Sequence, residues 1–437
     1  MANRAKSPKK SSPAGGRPLK PTAPPPPDSK GWSSPLEVLK DNRILLIVTG
    51  GVAAYKAAEL ARLFSKNGAQ VRVAMTEAAG RFVTPLTFAS LTGGLVASDL
   101  WERPQIIDPI AHVSWADWAE VLVVAPATAN FLAKMAQGLA DDFPSAVALA
   151  SKKPKLLAPA MNTGMYENPA TQANLSLLAD RGHHVLESPD GLLACGAVGA
   201  GRMAEVEIIA FETARILFGG YLTGRKVVVT GGATREPWDD IRFLSNRSSG
   251  RMGAALATAA WLMGAETTLI AGPGAATPPA GLSGLKLIRA ETTEDMLAAV
   301  KANLPGAWAL IMNAAPADFR PATRIEGKIK KKGGVPDLAL ERTPDVLKAI
   351  SWDKGGAIVV GFAAEDADLE VRAKEKLLSK GLDYIAANKA GGADDAFGSE
   401  EISLRLISAE GWAEDIGPTS KFDAACRLIS SLKINPS

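Results

Sequence analysis

Residues 227–253 read VVVTGGATREPWDDIRFLSNRSSGRMG. A β-branched run ends at Gly231-Gly232, a turn that needs backbone freedom, and Ser248-Ser249-Gly250 precedes MGAALATAAWLMG, an alanine-rich apolar segment of helical length. The pattern predicts a buried strand, a long polar excursion and a helix, the opening of an α/β unit. Serines ahead of the helix can cap it, and free N–H groups in its first turn form a seat for phosphate; an ordinary capped helix explains the same spacing. A dinucleotide fingerprint places its glycines in one G-x-G-x-x-G turn. Here Gly232 and Gly250 are separated by a polar loop holding Arg235, Asp239, Asp240, Arg242, Asn246 and Arg247, which is not the pattern of an ordinary NAD site.

Toward the C-terminus, TTLIAGP, LKLIRA, ALIMNAAPADFRP, AIVVGFAAE and DYIAAN read as further strands, and ISLRLIS with Gly411-Trp412 reads as a terminal hairpin. This is a second α/β unit of Rossmann type. Toward the N-terminus, Gly219 to Gly224 looks like a domain junction, preceded by a helix over Glu205 to Phe218. From Arg43 the chain alternates RILLIVTGG, a helix through Ala53 to Asn67, AQVRVAMT, a helical stretch to about Gly93, EVLVVAPAT and PKLLAPAMN. Strands apolar throughout predict a parallel sheet covered on both faces, with ligands at the strands' carboxyl ends. The polar signals stand at those ends: Thr49-Gly50-Gly51, Thr76, Pro126 to Asn130, and Pro159 to Asn162. Ordinary turn chemistry explains any one of these but explains the set poorly. The boundaries read as a tail over 1–40, a first domain over 41–220 and a second over 221–437.

With 437 residues, 47% apolar and 22% charged, the composition is that of a soluble globular chain. Much of the net charge of +3 sits in the tail, at Arg4, Lys6, Lys9, Lys10, Arg17 and Lys20, and the near-neutral remainder argues against nucleic-acid binding. Residues 1 to about 35 are rich in Pro, Ser, Gly and Lys and are expected to be disordered; their prolines argue against a mitochondrial presequence. No run of about eighteen apolar residues predicts a membrane span. Cys195 and Cys426 are far apart and support neither a disulfide framework nor a cysteine-rich zinc site, which suits a reducing cytoplasm.

The opening stretch, with its TGG-T-REP loop and SN-SSG-MG segment, resembles the ligase half of the bacterial bifunctional phosphopantothenoylcysteine decarboxylase/phosphopantothenate–cysteine ligase family of coenzyme A biosynthesis. TGGVAAYK, AHVSWADWAE, APATAN and PAMNTGMY resemble the flavin-dependent cysteine decarboxylases, which carry FMN on a flavodoxin-like sheet. The resemblance implies an N-terminal flavodoxin-like domain followed by a Rossmann-like ligase domain. It implies that Gly50, Gly51, Val52, Ala53, Thr76, Pro126, Ala127, Thr128 and Asn130 hold FMN, and that His112 and Asn162 act on the substrate. A lone His near a helix start is more often structural, and His183 and His184 are read so. GLLACGAVGAGRM carries glycines at 191, 196, 199 and 201 that make a regular strand improbable and suggest a mobile loop. Cys195 within it is either a small buried residue or, by resemblance, the proton donor of a substrate lid. The implied decarboxylation needs flavin to take a hydride equivalent from the thiol-bearing carbon, so that loss of CO2 leaves no unstabilised carbanion, and then to return it.

In the second domain the resemblance assigns CTP contacts, with Mg2+, to Asp318, Lys328, Thr343, Pro344, Asp345, Val346, Phe362, Lys376 and Lys380, and the acyl-cytidylate intermediate to Asn246. Read alone, Lys376 and Lys380 share one helical face and repel unless an anion lies between them, and the run Lys328, Lys330, Lys331, Lys332 is either a solvated loop or a phosphate clamp. Pro316 and Thr343 depart from the family pattern, the latter replacing an Asn. The implied reaction joins 4′-phosphopantothenate to L-cysteine through the acyl-cytidylate and decarboxylates the product to 4′-phosphopantetheine, and the resemblance also implies a homo-oligomer. Two competing readings stay open: a two-domain oxidoreductase using flavin and NAD(P), against which stands the split glycine pattern, and a flavin-binding regulatory protein without turnover, against which stand Cys195 and Asn162.

Overall fold

The computed structural model describes residues 31–99, 110–192, 196, 198–330, 338–350, 354–365, 369–389 and 401–432. The apolar runs of the first half form a parallel sheet of β1 (Arg43–Val48), β2 (Gln70–Met75), β3 (Val96–Ala97), β4 (Val121–Ala127), β5 (Lys155–Pro159) and β6 (His184–Val185), in the order β3-β2-β1-β4-β5-β6. Without the short edge strand β3 this is the 2-1-3-4-5 order of flavodoxin-like sheets, as expected. Strand β4 is buried along its whole length, because helices cover both faces, and therefore shows no alternation. A short antiparallel ladder, β7 (Gly191–Leu192) with β8 (Val198–Gly199), forms where the glycines argue against a strand. Gly191 faces Gly199 in it, so no side chains crowd that pair.

The second half contains β9 (Lys226–Gly231), a ribbon of β10 (Arg235–Pro237) with β11 (Phe243–Ser245), then β12 (Glu266–Ala271), β13 (Leu285–Arg289) and β14 (Ala309–Met312). A ribbon of β15 (Phe319–Pro321) with β16 (Leu340–Arg342) follows, and then β17 (Ile358–Glu365), β18 (Tyr384–Lys389), β19 (Glu401–Ser408) and β20 (Ala413–Ser420). The main sheet runs β13-β12-β9-β14-β17-β18-β19-β20, parallel to β18 and antiparallel for the terminal hairpin. This is the Rossmann order with a hairpin added. The polar excursion is more ordered than its composition suggests, since Arg235 stacks over the Phe243 ring at 4.5 Å across its ribbon. Helix Arg251–Leu262 starts after Gly250, but the serines do not cap it: Gly250 holds the cap position with φ of 71°, and no side chain caps the first turn.

The two halves share part of their core. Helix Val206–Phe218 is apolar on more than one face, and a single hydrophobic cluster continues through it from Leu46 and Val123 to Val229 and Leu256. The Phe211 and Trp261 rings lie 6.5 Å apart, and the buried Glu212 carboxylate accepts the Ser283 N–H at 2.6 Å. The tail also ends earlier than expected. Gly31 donates its N–H to Asp423 at 3.1 Å, Trp32 meets Phe218 edge-on at 5.8 Å, and the short helix Pro35–Leu39 buries Val38 and Leu39. Residues 1–30 lie outside the described residues. Among those described, no helix is long and apolar enough to cross a membrane.

Candidate active sites

In a doubly wound sheet the crevice opens where the strand order reverses, here between β1 and β4. Thr49, at the exit of β1, closes the floor of that crevice. Its buried hydroxyl donates to the Pro126 carbonyl at 2.7 Å, accepts the Thr128 N–H at 3.1 Å and lies 3.0 Å from the Thr128 hydroxyl. Next to it, a Cβ on Gly50 would stand 2.3 Å from that of Ala78, so only glycine lets the turn capped by Thr76 close over this edge. The result is a cleft of about 1220 Å³. That exceeds the ~300–1,000 Å³ of a typical ligand pocket and leaves room for a cofactor beside a second molecule.

Gly50, Gly51, Val52, Ala53, Thr76, Thr128, Asn130 and Asn162 line this cleft, as the sequence suggests. Pro126 and Ala127 do not: they are buried at the end of β4, and Pro126 shapes the cleft only through the carbonyl that Thr49 binds. His112 stands half-buried in the first turn of helix Ala111–Trp118, outside the lining. Cys195 lies outside the described residues; the ladder flanking it leads into Gly201, Arg202 and Met203, which line the cleft. A Cβ on Gly201 would meet the Met161 carbonyl at 2.4 Å, so that glycine serves close approach to the Met161-Asn162 turn rather than mobility. Asn162 itself accepts the Gly164 N–H at 2.9 Å. Sequence reasoning missed the ionic rim. Lys56 reaches Glu205 at 3.0 Å, Arg202 pairs with the other oxygen of the same carboxylate, and Lys134 reaches Asp141 at 2.6 Å and Asp142 at 2.9 Å. Burial alone would lower the Lys134 pKa, but its hydrogen bonds to the two aspartates raise it. Lys56 was legible at the end of TGGVAAYK; no local pattern marks the others.

The residues present fit a flavin mononucleotide. Helix Ala54–Lys66 begins at the cleft with no side-chain cap, so the positive end of its dipole faces a phosphate there although the Ala54 and Lys56 N–H groups are taken by the Gly51 and Ala53 carbonyls, and the Thr49–Thr128 stitch and Asn130 supply polar groups beside it.

The second crevice lies between β9 and β14 and is built alike. Thr230, at the end of β9, accepts the Ala314 N–H at 3.1 Å, and the Ala315 N–H reaches the Gly232 carbonyl at 2.9 Å. A cleft of about 770 Å³ opens there, lined by Asn246, Ser248 to Met252, Asp318, Thr343, Pro344, Asp345, Val346, Phe362, Lys376 and Lys380. Asn246 donates to the Pro316 carbonyl at 2.9 Å, so the unexpected proline supplies the acceptor. The Thr343 hydroxyl donates to the Ala317 carbonyl, so the Thr found in place of Asn still ties this loop down. Arg251, Arg342, Asn388 and Lys421 also line the cleft and carried no sequence signal.

One expectation, for Lys328, changes here. The TREP segment does not enter the cleft but supports it from behind. The buried Glu236 carboxylate accepts both the N–H and the hydroxyl of Thr293, and Thr234 accepts the Ala317 N–H at 2.9 Å, which fixes the 313–319 loop. Lys328 is exposed and outside the lining. Its backbone is pinned on either side, by Gly327 N–H to Asp240 at 3.0 Å and by Ile329 N–H to the fully buried Asp239 carboxylate at 3.2 Å. Burial raises the Asp239 pKa, yet hydrogen bonds from Ile241, Arg242 and Ile329 together with the Arg242 charge outweigh it and hold the group below the usual range. Lys330 is exposed, and Lys331 and Lys332 lie outside the described residues. No group of three or more His, Cys, Asp and Glu among the described residues is arranged to hold a metal ion.

Residues 33–217 match the family described as Flavoprotein, and residues 222–434 match the DNA/pantothenate metabolism flavoprotein C-terminal domain. The coenzyme A biosynthesis bifunctional protein CoaBC of Bacillus subtilis (strain 168) is 41% identical over 405 residues, covering 90% of this chain and 97% of the relative. The protein of the same name from Haemophilus influenzae is 39% identical over 399 residues, covering 90% and 98%. A solved structure, the C-terminal domain of a CoaBC, shares 30% identity and aligns with a TM-score of 0.41 over 49% of this chain and 96% of that domain.

Proposed function

The chain belongs to the CoaBC family of bifunctional coenzyme A biosynthesis proteins, with a decarboxylase and a ligase activity, and on that premise we propose how its two clefts divide the work. The second cleft activates the carboxylate of 4′-phosphopantothenate with CTP, brought in with Mg2+, and joins it to L-cysteine through an acyl-cytidylate. The first cleft, with FMN, converts the resulting 4′-phosphopantothenoylcysteine to 4′-phosphopantetheine. The observation that carries this reading is the pair of clefts at the two strand-order reversals, one with a helix N-terminus among threonines and glycines and one with a cationic wall.

In the first cleft, bound flavin supplies reversible hydride transfer at the thiol-bearing carbon. The chain does the rest. Gly51 to Ala53 and the start of helix Ala54–Lys66 would hold the phosphate, Thr49 and Thr128 fix the loops beside it, Asn162 would orient the substrate carboxylate, and Cys195 would supply a proton to carbon after CO2 has left. His112, on the first turn of helix Ala111–Trp118, acts from outside this lining, as expected if a second copy completes the site. In the ligase cleft, attack of the acid on the α-phosphate expels pyrophosphate, and Lys376 and Lys380 meet the charge that grows on the leaving oxygens. Asn246, held by the Pro316 carbonyl, orients the acyl group for attack by the cysteine amine. A cytoplasmic homo-oligomer suits this reading.

Product analysis of the full-length protein with phosphopantothenate, cysteine and either CTP or NADPH is the test. CO2 and phosphopantetheine are expected with CTP alone. Turnover that requires NADPH, or none with CTP, would overturn the assignment in favour of the oxidoreductase or the regulatory protein.

A further inference from the structure

Two like charges four residues apart on a helix repel unless an anion lies between them. For Lys376 and Lys380 that anion is already part of the chain. The Asp345 carboxylate places Oδ2 3.0 Å from Lys380 Nζ, while its Oδ1 accepts the Lys348 N–H at 3.1 Å. Lys376, whose ammonium donates to the Phe362 carbonyl at 3.2 Å, adds to the positive field around it. Burial would raise the Asp345 pKa, but the Lys348 N–H, the Lys380 hydrogen bond and the charges of Lys380 and Lys376 outweigh it and keep the carboxyl below its usual range. The group is therefore an anion at neutral pH. All three side chains line the second cleft; Asp345 is exposed, as is the other carboxylate of that lining, Asp318, while Lys380 is half-buried.

We propose that Asp345 is an internal competitor for the polyphosphate: its carboxylate occupies the anion position at Lys380 that a phosphate group takes, and it leaves that position when the nucleotide binds. The inference rests on the nucleotide reading of this cleft and deepens it. A carboxylate that stayed beside an incoming triphosphate would place like charges in contact at the half-buried Lys380 ammonium, so the two anions exclude each other. The consequence is an affinity set by exchange. Binding of CTP requires a broken ion pair, and departure of pyrophosphate is helped by the carboxylate that returns to Lys380.

Asp345→Asn tests this directly, because an asparagine oxygen caps the Lys348 N–H as well as aspartate does while the charge is gone. Asp345→Ser, another good cap, is measured beside it so that a folding defect in one variant does not remove the test. Calorimetry on the full-length protein, without acid or cysteine, measures CTP in one arm and inorganic pyrophosphate in the other. Both ligands are expected to bind about tenfold tighter to the uncharged variants, within the range of ordinary coupling between sites. In a Lys380→Gln background the gain should vanish. Equal or weaker binding by both variants overturns the proposal, weaker binding being the mark of a residue that touches the ligand or its metal. A wild-type protein that binds neither ligand overturns the nucleotide reading as well.

Discussion

Glu236 binds Thr293 twice within the core: its carboxylate accepts the threonine N–H at 2.9 Å and the threonine hydroxyl at 2.8 Å. The same hydroxyl lies 3.1 Å from that of Thr234, and Thr234 holds the loop that forms the wall of the ligase cleft. Glu236→Ala leaves the buried Thr293 N–H without a partner, at about 1–3 kcal/mol, while the hydroxyl falls back on the Ala317 carbonyl. The variant should melt several degrees lower and lose ligase turnover before decarboxylation of added phosphopantothenoylcysteine. Thermal scans and separate assays of the two reactions check the order; ligase activity at the wild-type level would show that TREP does not support the wall.

Thr49 performs the matching task in the first cleft. Thr49→Val keeps the shape but strands the Pro126 carbonyl and the Thr128 N–H, for a loss of about 1–3 kcal/mol. The expected outcome is weaker flavin retention, read from the ratio of visible to ultraviolet absorbance after desalting, with ligase turnover kept.

Cys195→Ser should stop the decarboxylase after CO2 release, since a hydroxyl is a far weaker acid than a thiol. Mass spectrometry of the product pool should find a decarboxylated species two hydrogens short of phosphopantetheine. A normal yield of phosphopantetheine would reduce Cys195 to a packing residue. Cys426 is no substitute, being buried with its thiol pKa pushed well above the ordinary value by desolvation and the nearby Asp423 charge.

Lys328 and Asn246 should fail at different steps. Lys328, exposed and outside the lining here, would have to swing over bound nucleotide to act as a donor for transition-state charge; on that reading Lys328→Gln loses roughly a hundred- to a thousandfold in rate and slows pyrophosphate release even without cysteine. Asn246→Asp should form the acyl-cytidylate and handle it poorly, because the new charge repels its phosphate. Rapid-quench sampling distinguishes them; intermediate formation by Lys328→Gln at the wild-type rate would make its loop a solvated surface.

Glu212 should make stability depend on pH. Burial raises its pKa against the opposing Ser283 hydrogen bonds and the Arg215 charge. Folding therefore favours the protonated acid, and its contribution is full below the ordinary value of 4.5 and is lost as pH rises from there through the raised folded value. Glu212→Gln should flatten that part of the profile of melting temperature against pH. An unchanged slope would show that the carboxyl does not titrate with folding.

The sequence by itself determined the layers and the places where ligands enter. Runs such as Ile44–Val48 and Val227–Thr230 are apolar on both faces because helices cover both sides of each sheet, and turn residues at strand ends mark the crevices; both signals are local, so both were legible. Contacts across long spans were not. Glu236 and Thr293, Asp239 and Ile329, and Asp345 and Lys380 are each brought together by the order of strands and helices rather than by any spacing along the chain. The same holds for the core cluster that the two halves share. Helix Val206–Phe218 reads as a linker until Trp261, Ser283 and Trp32 are packed against its remaining faces, because a helix's second apolar face acquires meaning only from the element that covers it.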